Sequence, residues 1–585
     1  MNSSLPLLFR RGCCWIIPGL LLLLLLLCAG NARAQAPTWQ SAVAASGAQV
    51  YAVAADAGGN VYLAGSFGSS ATFGNITLTG GQQGDIFVAK WSETAGRFLW
   101  AQQAGGIGND WATGIAVSGN SVFIVGDFTS PTIRFGAGTL TNTNSTLPTA
   151  DVFVAKLTDA GTTASFTWAR QAGGFGVDFA TDVAVSGSSI YFTGYYESST
   201  MTFGSNVILN PMTPGVTSTD LFVAKLTDAG STGTFDWVRG AGGVSNEVAY
   251  SIATAGSSVY VVGYFTSVGI NLGTTLFNTQ VGSEDGFVAK LDTSGSFIWA
   301  LRIGGTGSES PMAVAASGND VFVAGMFTST PALFGSTTLA LFGSTTLAPV
   351  GGPPDAFVAK VTDAGTSAAF AWSQWAGGPG IDTPRAIAAI GTDVYVTGYF
   401  NSPTASFGGT TLVNVAPPGT TANDIFVGKL TGTGNFVGAV QAGSPANDYA
   451  YDIATNGSTV YIADNTALPA AFGSTILQGG SDAGFLASLS TSVLATTEPS
   501  PVAELLLYPN PAHKSTTVVV PALAGQGNGV LTLTDGVGRI LAQHHTGPTA
   551  AGLRYTLPLD GLSPGLYLLR VQTEHGQLVR QLVVE

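Results

Sequence analysis

Asp85-Ile-Phe-Val-Ala-Lys90 is the first of seven copies of one phrase. It returns at residues 151–156, 220–225, 285–290, 355–360 and 424–429, and decays to Asp482-Ala-Gly-Phe-Leu-Ala487. From Lys90 to Lys429, consecutive lysines of the phrase stand 65 to 70 residues apart. A fixed period of that size marks an array of one supersecondary unit, which buries its apolar face against its neighbours. The fold question becomes how seven units associate.

Residues 110–174 show what one unit contains. Apolar residues alternate over 112–118, turn at Gly119-Asn120, and alternate again over 121–128. A long polar excursion follows, then residues 151–157, the turn Asp159-Ala-Gly161, and residues 166–172. Period-two alternation broken by Gly and Asn turns predicts four antiparallel strands, the blade of a β-propeller. The seventh unit stops near Ser490 without a fourth strand, while Pro37-Thr-Trp39 at the front aligns with Phe166-Thr-Trp168. An N-terminal strand that completes the last blade leaves no open edge. The expectation is all-β: a seven-bladed β-propeller over 35–492, its N-terminal strand closing the last blade, followed by a small Ig-like β-sandwich.

These repeats resemble the bacterial SBBP-type β-propeller repeat. The shared pattern is Trp-x4-Gly-Gly-x-Gly-x-Asp, Ile-Ala-Val-x-Gly, Val-x-Gly-Tyr-Phe and Asp-x-Phe-Val-Ala-Lys, and it covers nearly the whole chain between 35 and 492. The resemblance implies a fold and export, with no assigned reaction. One excursion holds a tandem copy, 332–339 repeated as 340–347, where insertions are tolerated.

Residues 1–34 predict a signal peptide: Arg10 and Arg11, a leucine run over 20–27, and Ala32-Arg33-Ala34 as the small-x-small cleavage pattern. A lipoprotein site at Cys28 and an uncleaved anchor are weaker readings, because Leu27 is large and the apolar core short. Cys13, Cys14 and Cys28 all lie in this segment, so the processed chain forms no disulfide and no stable transmembrane segment is expected in it.

Residues 493–503, with Pro499 and Pro501, read as a linker, and 504–585 as a second domain. Tyr508-Pro509-Asn510-Pro511 opens it, Pro564-Gly565-Leu566-Tyr567 lies in its middle, and Gly576 precedes the basic Arg580 near its end. These motifs resemble the type A C-terminal sorting domain of type IX secretion; Arg580 stands where that family usually has lysine. The resemblance implies the type IX machinery as a partner, and a place outside a Gram-negative cell, secreted or on its outer surface.

Chemistry is sparser. His513, His544, His545 and His575 all lie in the C-terminal domain, which excludes a Ser-His-Asp or Cys-His nucleophile and a typical zinc or copper site from the repeats. The net charge of −14 excludes a nucleic-acid partner. Two acidic series meet on one face. One follows the Gly-Gly turn: Asp110, Asp178, Glu247, Glu309, Asp382 and Asp448, with Gln49 expected at that place in the first unit. The other opens each third strand, from Asp85 to Asp482. Oxygen-rich rings suit Ca²⁺, the one cofactor to consider. A residue present in every repeat more often caps a turn, and that reading is preferred here.

A ligand site belongs where repeats differ. The middle residue of Gly-x-Phe varies and includes Asp127, Tyr195, Tyr264 and Tyr399; Trp111 and Arg385 also break the pattern nearby. Tyrosine rings beside carboxylates suit a sugar. The expectation is a monomeric, exported binding or adhesion protein whose ligand is an extracellular glycan or surface polysaccharide, with no catalytic residue assigned. The alternatives are a carboxylate-based glycan-active hydrolase or lyase, and a structural component of an extracellular matrix.

Overall fold

A computed structural model describes residues 37–491 and 506–585, except 82, 147–148, 211–217, 281, 335–344, 348–353, 418, 480–481, 509, 521–528, 536–538, 547–552 and 574–575. The expected signal peptide, the linker, most of the tandem copy and Pro509 lie outside the described residues. The chain divides into two compact units, Met1–Ser492 and Val493–Glu585. The described residues are all-β and contain no helix.

The repeats follow one plan. In the second, Asp110–Ser118, Ser121–Phe128, Asp151–Asp159 and Ala164–Gly173 pair in that order, antiparallel throughout. The third repeats it with Asp178–Ser186, Ser189–Tyr196, Asp220–Asp228 and Gly233–Ala241. The polar excursion, expected as a loop, folds into a hairpin of its own, Thr132–Phe135 against Gly138–Thr141. Its apolar tooth, Phe135, is buried and lies 4.9 Å from Phe153 and 5.3 Å from Phe166. That contact ties the excursion back to its own sheet.

The N-terminal strand Thr38–Ala55 serves two repeats. Residues 38–46 pair with Ala483–Ser490, and residues 45–55 pair with Asn60–Phe73. The last and first repeats therefore share one sheet. First strands also touch from repeat to repeat, from Asp110–Ser118 against Asp178–Ser186 through to Asp382–Ile390 against Asp452–Thr455. Each core lies between neighbours: Trp100 and Val88 of the first repeat share a cluster with Phe128 and Phe153 of the second.

The recurrent lysine joins neighbours as well. Lys90 Nζ lies 2.6 Å from Asp159 Oδ2 in the next repeat; Tyr62 donates to the same oxygen (2.8 Å) and Trp100 Nε1 to Oδ1 (3.0 Å). Lys156–Asp228 and Lys290–Asp363 repeat this staple. Burial pushes the Asp159 carboxyl up, but the bonds from Lys90, Tyr62, Gly161 and Trp100 outweigh it and hold the group low. Other lysines turn back within their own sheet, as in Lys429–Asp393 at 2.9 Å, where Asp393 is 35% exposed.

In the second unit, Leu506–Tyr508, Ser515–Val520 and Leu553–Pro558 form one sheet. Ile540–Thr546, Gly529–Thr534, Gly565–Thr573 and Gly576–Val584 form the other. Val518, Leu531, Leu557 and Leu582 meet in their common core.

Removing one partner of a buried ion pair strands the other charge. Asp159→Ala is expected to destabilise the first unit by about 3–5 kcal/mol, and Asp393→Ala by clearly less. Urea unfolding of the full chain measures both; equal losses would show that the staple adds nothing.

Candidate functional site

In six repeats the pairing of first and second strands slips by one residue at a corresponding place, as between Ala112 and Gly114 or Pro384 and Ala386. A bulge leaves one residue unpaired and re-aims its side chain. The residues so placed are Tyr51, Thr113, Thr181, Tyr250, Met312 and Arg385. Tyr451 takes the same place just before the short seventh first strand, Asp452–Thr455. All seven line one cavity of about 510 Å³. The backbone geometry repeats at six of them and the chemistry does not.

Part of the variation is structural. Thr113 and Thr181 hydroxyls donate to Ala180 O (2.7 Å) and Ala249 O (2.9 Å) of the following repeat. One residue on, Asp182 accepts Ser251 Oγ (2.8 Å) and the Ile252 amide (2.9 Å), and Asp452 accepts the Val53 amide (2.7 Å). Burial raises both, Asp182 to about 6 and, with Asp182's charge added, Asp452 to about 8. These two carboxyls clamp adjacent first strands and are occupied.

Others face the cavity unspent. Asp127 is 2% exposed, lines the cavity, and its Oδ2 has no partner among the described residues. Burial, with Asp110's charge added, pushes its carboxyl well up. Tyr195 also lines the cavity, 5.2 Å from Phe179, and burial beside Asp127 raises it to about 12. Tyr264 packs on Tyr250 at 5.7 Å, and Tyr399 on Tyr449 at 5.1 Å and Tyr451 at 6.3 Å. These two stand behind the lining. Trp111, in register with Asp127, is half-buried and outside the lining.

The seventh repeat departs most. Six repeats carry a glycine, such as Gly126, where the second strand passes the bulge; a Cβ there would collide with a carbonyl oxygen of the first strand, Trp111 O in that case. Asp464 occupies this register, facing Phe485 as Gly126 faces Phe153. Regular pairing of the first strand accordingly begins only at Asp452, and Tyr449, Tyr451 and Tyr399 gather beside it. Asp464 is fully buried, takes Asn465 Nδ2 at 2.6 Å, and leaves Oδ2 without a partner among the described residues. Sequence reasoning missed Asp464 and the bulge residues apart from Arg385, yet Ala463-Asp464-Asn465-Thr466 in place of Gly-x-Phe was a readable signal.

The repeated acids do local work. Asp110, Asp178 and Asp382 accept the amide four residues before them (Gly106 2.9 Å, Gly174 2.8 Å, Gly378 2.7 Å). They also accept a serine hydroxyl twenty residues on (Ser130 2.8 Å, Ser198 2.8 Å, Ser402 2.7 Å). Glu247 and Glu309 take the Ser267 and Ser329 amides, and Asp448 takes Ser444 and Thr466. Gln49 does not stand in this series: it pairs with Ser66, the register of Trp111, and Ala48 faces Phe67 where Asp110 faces Phe128. The turn between first and second strands is one residue longer in the first repeat (56–60 between Ala55 and Val61, against 118–121 between Val117 and Val122), which accounts for the offset. Among the described residues no group of three or more His, Cys, Asp or Glu is placed to hold a metal.

The sorting motif is ordered by hydrogen bonds. Asn510 donates to Gln581 O and accepts the Val583 amide, both at 2.8 Å, which docks the motif on the last strand. Tyr508 pairs with Thr517 through the backbone. Tyr567, after Pro564 and Gly565, is buried with its hydroxyl on Ser563 O at 2.7 Å. Gly576 opens the last strand, Arg580 is exposed on it, and Pro511 is exposed at the surface.

Residues 506–585 match the family of secretion system C-terminal sorting domains. The chain is thus a type IX secretion protein with a C-terminal sorting domain, secreted or held at the surface of a Gram-negative cell, and the secretion machinery is a partner. No curated protein matches it. Among solved structures it is similar to dimeric latent PorU from Porphyromonas gingivalis at 12% identity and TM-score 0.13, covering 52% of this chain and 31% of that one. It is also similar to PorZ, an essential bacterial surface component of the type IX secretion system of the same organism, at 10% identity and TM-score 0.15, covering 94% of this chain and 100% of that one. Likenesses this weak carry nothing about activity.

Two outcomes follow from the buried acids. Burial raises Asp110 and Asp151 to about 6, and Asp178, Asp220, Glu309 and Asp424 to about 7. Unfolded carboxyls titrate near 4, so between about pH 4 and 8 the folded chain binds more protons and stability falls as pH rises. Asp159 and Asp363 shift downward, and their stabilisation is lost only below that window. The full chain should melt at a higher temperature at pH 5 than at pH 8. Asp464→Gly, which restores the glycine of six repeats and removes a buried carboxyl, should raise the melting temperature; a lower one would contradict the strained-register account.

Proposed function

We propose that the seven repeats are the blades of an SBBP-type β-propeller, exported through a signal peptide at 1–34, followed by a linker at 493–503 and sorted by the domain at 504–585. Its role is binding or adhesion, and its ligand is an extracellular glycan held in the cavity lined by the bulge residues. The ring reading is supported by the sheet that the first and last repeats share and by first strands that touch in sequence.

The observation that carries the binding role is the contrast at the bulges, where six residues of one geometry, with Tyr451 beside them, line one cavity and hold Tyr, Thr, Met and Arg. Tyr51, Tyr195, Tyr250 and Tyr451 offer ring faces to the apolar faces of sugars. Asp127 Oδ2 offers a buried oxygen with no partner among the described residues, suited to a hydroxyl. The repeated Gly-Gly acids are already bonded to their turns, so Ca²⁺ has no role in this reading.

A glycan array probed with the full chain tests it. Selective binding is expected, unchanged by a Ca²⁺ chelator and weakened about ten-fold or more by Tyr250→Ala together with Tyr451→Ala. An empty array would overturn the glycan reading, and loss of binding in chelator would overturn the metal-free one.

A further inference from the structure

Arg385 is the one cationic side chain among the residues lining the cavity. Its guanidinium carbon lies 4.3 Å from the centroid of the Tyr451 ring, and its Nη1 lies 3.9 Å from Met312 Sδ. No carboxylate oxygen among the described residues comes within the 4.0 Å of an ion pair. Asp464 is close enough for its charge to feel Arg385, yet its oxygens are held by Asn465 or left bare.

A guanidinium placed over a ring is anchored by its face and keeps its edge donors for a planar oxyanion. The fold has no need of arginine at this place, because Thr113, Thr181 and Met312 occupy the same bulge in other repeats. An unpaired cation in a protein of net charge −14 is also poor at long-range attraction; its use is local recognition.

We propose that the ligand is an acidic glycan whose uronate carboxylate docks on Arg385, stacked on Tyr451, while Tyr51 and Asp127 contact the neighbouring sugar. This rests on the glycan-binding reading above and deepens it. The carboxylate lies in the ring plane of a uronic acid, so a sugar face against Tyr51 and a carboxylate against Arg385 can come from one chain. An acidic peptide could supply the charge, but offers no such faces to the tyrosines.

Calorimetric titration of the full chain is the test. The probes are galacturonate, mannuronate and glucuronate oligosaccharides, their carboxyl-reduced counterparts, and poly-glutamate. At least one uronate should bind, with its carboxyl-reduced counterpart weaker by about ten-fold or more, the range of a lost charge-assisted hydrogen bond. Arg385→Met, a replacement the fold already holds at Met312, should lose the same factor with an unchanged melting temperature, and Arg385→Lys should recover part of it. Equal binding of the reduced counterpart would overturn the acidic class and leave the glycan reading standing. Poly-glutamate binding as tightly as the uronates would assign the site to an acidic protein. No binding to any sugar would overturn both readings.

Discussion

The double pairing of Thr38–Ala55 is the constraint on which the rest of the first unit depends. A repeat that buries its core against a neighbour leaves one bare face at each end of the array, and one strand with unpaired amides. Here one 18-residue strand supplies the fourth strand of the last repeat and the first strand of the first. The pairing joins the two ends in one sheet without a disulfide, which the chain cannot make outside residues 1–34. It also fixes the seventh repeat next to the first, so that Tyr451 and Arg385 line the same cavity as Tyr51 and Asp127.

Within that frame, backbone necessity and side-chain freedom fall on adjacent residues. The bulge turns one side chain of each first strand into the cavity, and the glycine facing it is required because a Cβ would strike the carbonyl oxygen across the pair. The bulge side chain itself meets no such demand. Thr113 and Thr181 use it to bond a carbonyl of the next repeat, whereas Arg385 lies on the ring of Tyr451 in the next repeat. Asp464 is the place where the backbone rule itself is broken. Its cost is visible as lost strand pairing and a buried carboxyl oxygen without a partner among the described residues.

Much of this was legible in the chain. The strands expected at 121–128 and 151–157 are there within two residues, because Gly-Asn and Asp-Ala-Gly turns bound clean alternation. The excursion hairpin was not, since four-residue strands around Phe135-Gly136 carry too little alternation to stand out. The bulges were invisible for a different reason: one unpaired residue shifts a register without changing composition. Gln49 was misplaced by one position against Ala48 for another reason, a turn between Ala55 and Val61 one residue longer than that between Val117 and Val122. Asp127, Tyr195 and Arg385 could be named because they differ between copies, while Tyr51 and Tyr250 could not, since a bulge has to be known before its residue is seen to point inward.

The inter-repeat staples show the same division between what every copy needs and what it can vary. Where the following turn carries an aspartate, as at Asp159 or Asp363, lysine, tyrosine and the indole all converge on it. Where that turn is Thr293 or Gly432, the indole of Trp237 or Trp372 donates to a backbone carbonyl at 3.0 Å instead, and Lys225 or Lys360 finds an aspartate in its own sheet. Trp100, Trp168, Trp237, Trp299 and Trp372 all cross to the next repeat, because the buried N–H must be satisfied and the turn offers an oxygen, whereas Trp39 donates to Gln441 O of the preceding repeat at 2.9 Å. The lysine crosses only when a carboxylate is there to meet it, because an unpaired buried ammonium costs far more than a bond to its own strand neighbour returns. Where the fourth strand pairs a tryptophan with the lysine, the indole bond is thus kept from junction to junction and the ion pair is the adjustable part; the sixth repeat, with Gly438 at that register, has neither the indole nor the crossing ion pair.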